Sequence, residues 1–264
     1  MELSARGVRD VVALLRVAYE HDVKYPAAAL AYYTFVSLVP LLLLGLAVFG
    51  PRFAAGVEES MTLYLTPAAR ELFANALASV SGRTGASVLS VTVLGWTSAN
   101  AAVAFLTVLG RIERSASSGR RRPTRLRDGV VVIGSLAASG LVLVTTSAVS
   151  LAFADSILFD SVAAGVLLGA LTVVFLPMYY VPSNVVSGPR SALPGAVFAA
   201  SGWTVLHVIV QVYVRQAPQY AIYGTLSGVL LLLTSLYIAS LLLMLGVAVN
   251  CRYVDGAQIG VPAE

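Results

Sequence analysis

Charge is scarce in this sequence. Asp, Glu, Lys and Arg make up 11% of its 264 residues, against about 25% in an ordinary soluble domain. Hydrophobic residues make up 58%, and the mean hydropathy is +0.85. So few charges cannot coat a soluble globule this apolar. Disorder is excluded as well, because it needs low hydrophobicity and high charge. Cysteine is nearly absent: one residue, Cys251, rules out an internal disulfide and a Cys-based metal cage. Two histidines, His21 and His207, leave no room for a multi-His metal site. The single lysine, Lys24, follows Val23, so no Gly-Lys pair exists for a Walker A loop. HExxH, CxxC and GxSxG do not occur. The 13 acidic residues fall in loops, tails or interfacial segments, which leaves no carboxylate pair for acid–base work inside a pocket. No catalytic residue, metal or cofactor is expected, and no cleavable signal peptide is visible.

What the sequence does have is length of apolar chain. Six charge-free runs, over about 28–49, 86–109, 129–152, 162–181, 193–214 and 222–249, reach the span of a bilayer core, which takes roughly 20 helical residues. In lipid each must be helical, because backbone groups find no water to bond. The expected fold class is therefore all-α: a polytopic membrane bundle of six transmembrane helices. Basic residues set its orientation. Thirteen of the 17 lie in the N-terminal segment, the second and fourth loops and the C-terminal tail; four lie on the other side. This count places both termini in the cytoplasm. It divides the chain into a cytoplasmic interfacial helix (1–27), a six-helix membrane domain (28–251) and a cytoplasmic tail (252–264).

Two amphipathic segments lie outside the spans. Residues 4–23 gather Val8, Val11, Val12, Leu15 and Tyr19 near one face, as in a helix lying on the membrane or docked on the bundle. In the first outer loop, Thr66-Pro67 is a good helix start, and Leu72, Phe73, Ala76, Leu77 and Val80 make a stripe. The second loop carries Arg120, Arg121, Arg122, Arg125 and Arg127. These suit anionic lipid head groups at the cytoplasmic face. Interleaved aromatics, which nucleic-acid binding would need, are missing.

Proton- and cation-coupled carriers usually bury Asp, Glu or His in the bundle. Within these spans only His207 qualifies, with Gln211 one turn later. The two read as a polar pair lining a path, or as an interhelical hydrogen bond. Gly165-xxx-Gly169, Gly195-xxx-Ala199 and Gly224-xxx-Gly228 permit close helix packing, inside the bundle or between copies. Pro40 interrupts the backbone bonding of the first span. Pro177 and Pro182 bracket Tyr179 and Tyr180.

Span one reads Ala28-Ala29-Leu30-Ala31-Tyr32-Tyr33-Thr34-Phe35-Val36-Ser37-Leu38-Val39-Pro40-Leu41-Leu42. It closely resembles the AxAYYxxxSLxPLL segment of the YihY/BrkB family of prokaryotic inner-membrane proteins. Tyr179-Tyr180-Val181-Pro182-Ser183-Asn184 is similar to that family's Tyr…Pro-Asn segment. Leu193-Pro194-Gly195-Ala196, Tyr223-Gly224 and Gly246…Asn250 follow in the family's order. The family's closing motif is commonly Gly-Ala-Glu-x-Asn; here Ala248 stands at the acid. The resemblance implies a multi-pass protein of a prokaryotic plasma membrane. The family has carried the names virulence factor BrkB and ribonuclease BN, and the residues give the nuclease name no support.

The functional expectation is a non-enzymatic transporter or flippase-like protein for a lipid or small amphiphilic solute. Its path would use Tyr32, Tyr33, Ser37, Pro40, Tyr180, Asn184, His207, Gln211, Tyr223 and Asn250, with Pro182, Gly224 and Gly246 as motif positions. The alternative is an assembly protein that binds partner helices and lipids and moves nothing. Expected partners are membrane lipids, with a homo-oligomer or partner membrane protein left open.

Overall fold

The computed structural model describes residue 16 and residues 19–49, 84–116, 126–152, 157–216 and 225–259. Six long helices account for nearly all of these: α1 (Lys24–Phe49), α2 (Thr84–Ala116), α3 (Leu126–Ala152), α4 (Ile157–Tyr180), α5 (Pro189–Gln216) and α6 (Thr225–Ile259). All six are long and apolar enough to cross a membrane. They contain 24 to 35 residues, or roughly 36–53 Å of helix. No strand occurs among the described residues. The expected interfacial helix over 4–23 falls largely outside the described residues, and the outer-loop helix over 67–80 falls wholly outside them. So do Arg120, Arg121, Arg122, Arg125, Tyr223 and Gly224.

The helix boundaries follow local chemistry. α1 is preceded by a turn in which Asp22 takes a positive φ of 50°, a conformation that Asp tolerates better than most residues. α4 stops at Tyr180 because Val181 precedes Pro182, and a residue before proline is pushed out of the helical region. α5 opens on Pro189, whose missing N–H costs nothing in a first turn. The Ser191 hydroxyl donates to the Gly188 carbonyl at 3.0 Å and steadies that entry. Pro40 and Pro177 lie inside α1 and α4, which continue through them.

The helices form a closed ring in chain order, with α6 also packed against α1 and, across the interior, α2. One end of the ring holds the start of α1, the ends of α2 and α4, and the starts of α3 and α5; it is called basal below, and the other end distal. The buried core is basal. Ala27 and Leu30 of α1, Phe105 and Ile112 of α2, and Phe175 and Met178 of α4 belong to it. So do Ala196 and Ala200 of α5 and Leu243 and Val247 of α6. Toward the distal end burial fades on four of the helices: among the described side chains, none is buried over 140–147 of α3, 162–166 of α4, 205–213 of α5 or 228–238 of α6. On α1 and α2 it persists, at Pro40, Ser90 and Thr97.

Candidate functional site

The basal end is pinned by polar contacts that cross between helices. Glu113, near the end of α2, is 4% exposed. Its carboxylate accepts the Ser183 hydroxyl and the Asn184 backbone N–H, the latter at 3.0 and 3.1 Å to its two oxygens. Asn184 Nδ2 donates to it as well, at 3.0 Å. The Ser183 oxygen in turn accepts the N–H groups of Val185 and Val186 at 3.2 and 2.8 Å. One carboxylate thus organises the whole α4–α5 link. The clasp thereby ties the end of α2 to the α4–α5 link.

Three further contacts tie α4, α5 and α6 together. The Tyr179 hydroxyl donates to the Leu243 carbonyl at 2.7 Å. Trp203 Nε1 donates to the Ala239 carbonyl at 2.9 Å. Asn250 Oδ1 accepts the Gly195 N–H at 2.6 Å. Here the backbones nearly touch: a Cβ at Gly195 would overlap the Gly246 carbonyl oxygen, and one at Gly246 would overlap the Tyr179 hydroxyl. Asn250 is 1% exposed, and its Nδ2 has no hydrogen-bond partner among the described residues. Gly195, Gly246 and Asn250 therefore act in packing at the α5–α6 crossing.

The distal half is built differently. The stripe of α5 that buries Ala196, Ala200 and Thr204 continues, at helical spacing, to His207 and Gln211. Both are half-buried, whereas Val205, Ile209 and Val212 beside them are exposed. His207 and Gln211 thus continue the packed stripe of α5 at a depth where its side chains are half-buried. Gln211 Nε2 lies 3.0 Å from His207 Nε2. An amide nitrogen only donates, so the imidazole accepts there. The pair bonds along α5 and not to a neighbouring helix, unlike the interhelical bond weighed from the sequence. Thr34 and Ser37 of α1 and Thr146 of α3 likewise extend the buried stripes of their helices and are half-buried.

The residues named from sequence divide among these settings. Tyr33 packs on the core and meets the Trp96 ring edge-on at 5.7 Å. Tyr32 is 56% exposed, with its ring edge-on to Tyr33 at 5.5 Å. Ser37 bonds its own helix at the Thr34 carbonyl, and Pro40 is buried. Tyr180 and Pro182 are half-buried at the basal end beside the Glu113 clasp, which Asn184 joins directly. Arg127 is exposed at the basal start of α3. Two sequence readings need correction. Glu113 is not a loop acid but a buried group within α2. Gly165 and Gly169 do not pack inside the bundle, since a Cβ at either would meet open space. Glu113 has a signal in the sequence: Ala102, Leu106, Leu109 and Glu113 recur at spacings of four and three on one buried stripe.

A sequence model of the family described as Virulence factor BrkB matches residues 14–259, nearly the whole chain. The chain belongs to the BrkB family. Relatives of this BrkB-family chain include the putative ribonuclease-like protein YfkH of Bacillus subtilis, 25% identical over 87% of this chain and 90% of the relative. A UPF0761 membrane protein of Pseudoalteromonas translucida is 26% identical over 83% and 77% of the two chains. Another, from Alkalilimnicola ehrlichii, is 30% identical over 83% of this chain and 52% of its own length. No solved structure matches. Within the family frame, Ala248, which stands where the motif commonly has Glu, is 1% exposed inside the apolar core.

Proposed function

We propose that this membrane protein is a non-enzymatic transporter or flippase-like carrier for a lipid or small amphiphilic solute, working at a bacterial plasma membrane. One observation carries the reading: on α3, α4, α5 and α6 the core side chains lie toward the basal end, whereas the distal ones are at most half-buried, with Thr146, His207 and Gln211 among them. A ring sealed at one end and open at the other is one state of an alternating-access device. On the arginine count, the sealed end is cytoplasmic, and the Glu113 clasp is its inner gate. Thr34, Ser37, Thr146, His207 and Gln211 contact the cargo's polar part. Arg127 and its loop neighbours rest on anionic head groups.

Purification in native lipid, with mass spectrometry of what co-purifies, tests the proposal. One enriched species, depleted in His207→Ala and Gln211→Ala, is the expected result. Bulk lipid alone, unchanged in both variants, would sink it. That outcome would favour the assembly reading, which draws on the open glycine face of α4, where Gly165 and Gly169 leave room for a partner helix.

A further inference from the structure

The charge-free runs of the six spans hold one histidine, His207. Ionisable groups inside a membrane bundle are costly to keep, and they mark ion and proton pathways. Histidine is the side chain whose ordinary titration falls between pH 5 and 8. Its place along the helix suits proton exchange. His207 lies six residues inside the distal limit of the Pro189–Tyr213 span, or roughly 9 Å along the axis. It is half-buried on the stripe that continues Ala196, Ala200 and Thr204. Half-burial near the distal limit of the span leaves the imidazole within reach of water from the distal compartment.

The partner of His207 serves both protonation states. With the imidazole neutral, the Gln211 amide NH2 donates to Nε2 at 3.0 Å. With the imidazole protonated, Nε2–H becomes a donor, and a half-turn of the same amide presents its carbonyl oxygen as acceptor. A carboxylate in that position would lock the charged form, and an aliphatic side chain would lock the neutral one. The amide does neither.

Among the described residues, the charged groups around the pair are few. The helices packed on α5 are α4 and α6. On α4 the acidic residue at this height is Asp160, roughly 30 Å from the basal helix end, against roughly 27 Å for His207. The distal half of α6 carries Tyr237 as its titratable residue and no charge. On α5 itself Arg215 lies two turns further out. An imidazolium keeps its water while the ring is open, and closing the ring over it would bury a charge, which is strongly disfavoured. A neutral His207 carries no such penalty.

We infer that His207 is a proton-binding site that ties the opening of the distal mouth to the pH of the distal compartment: protonation holds the mouth open, and loss of the proton lets it close. This rests on the carrier reading above and adds its regulation. The proton comes from distal water, is held on Nε2 with the Gln211 carbonyl as acceptor, and returns to the same water before the ring closes.

Spin labels test it on the full chain in phosphatidylethanolamine–phosphatidylglycerol vesicles. Val88→Cys on α2 and Val212→Cys on α5 are exposed sites on the distal parts of two helices. They would be paired in a Cys251→Ala background, or Cys251→Ser if the first fails to insert. Pulsed electron–electron distances are read at about pH 5 and about pH 8. The longer-distance population is expected to rise several-fold at the acid pH, and His207→Gln, which keeps an amide but cannot titrate, is expected to abolish the change. A distance distribution that ignores pH would overturn the inference. So would a shift that survives in His207→Gln, which would move the titration to another group such as Asp160. A label at Thr146→Cys separates this from the carrier reading. Its collision with a neutral nickel chelate keeps the vestibule, and the carrier with it, whatever the pH result. No collision there would remove both.

Discussion

Replacing Glu113 should loosen the basal end. Three donors converge on its carboxylate: the Ser183 hydroxyl, the Asn184 N–H and Asn184 Nδ2. A typical hydrogen bond contributes about 0.5–1.5 kcal/mol, and an orphaned buried donor costs about 1–3 kcal/mol. The terms do not add, and Asn184 is exposed, so water can take over part of its bonding. Glu113→Ala should therefore cost about 2–4 kcal/mol. Glu113→Gln keeps one acceptor oxygen but sets an NH2 against the remaining donors, and about 1–2 kcal/mol is expected. Thermal unfolding in detergent should rank the proteins wild type, Gln, Ala. The chain supplies its own reporter: Cys251 is its single cysteine and is buried at the same end. Its alkylation rate should rise in the same order. If both variants melt and alkylate like wild type, the clasp is incidental and the gate assigned to it does not exist.

Other contacts make simpler forecasts. Gly195→Ala must push its methyl into the Gly246 carbonyl, and overpacking of that kind costs about 1–3 kcal/mol; unchanged melting would refute the close crossing. Tyr179→Phe removes the bond to the Leu243 carbonyl while keeping the ring, so a loss of about 1 kcal/mol is expected, read by the same melt. Gly169→Leu enters open space, so the monomer's stability should move by less than about 0.5 kcal/mol. A drop in crosslinked dimer or in a co-purifying protein in that variant would reveal a partner on α4.

The six spans are legible in the sequence because their signal is bulk apolarity, which needs no knowledge of neighbours. The motif positions Gly195, Gly246 and Asn250 are legible as a pattern but not as a contact. Fifty-five residues separate Asn250 from Gly195, and nothing local says that the amide caps that N–H. The His207–Gln211 pair is legible as a spacing, but whether it bonds along its own helix or across to another depends on what α4 and α6 present to it. Glu113 looks like a loop acid because flanking arginines give its segment a solvent-facing composition. The helix instead runs on to Ala116, so the buried stripe carries the acid inward. The small-residue motif on α4 fails in the opposite sense: spacing shows that a close approach is allowed, not that a partner is there.

The backbone contact of Gly195 with Gly246 has a mechanical consequence. Interlocked backbones resist sliding, because a slip of one turn would drive side chains into a gap sized for hydrogen, but they tolerate tilting. The crossing thus holds the basal end of α5 fixed. Beyond Thr204, the last buried residue of α5 among those described, 12 residues run on to Gln216, or roughly 18 Å at 1.5 Å per residue. A bend of about 10° there would swing the far tip by roughly 3 Å over that length, while the packed residues scarcely move. Bending of this kind lets the far rim widen or narrow without unpacking the core that holds the protein together.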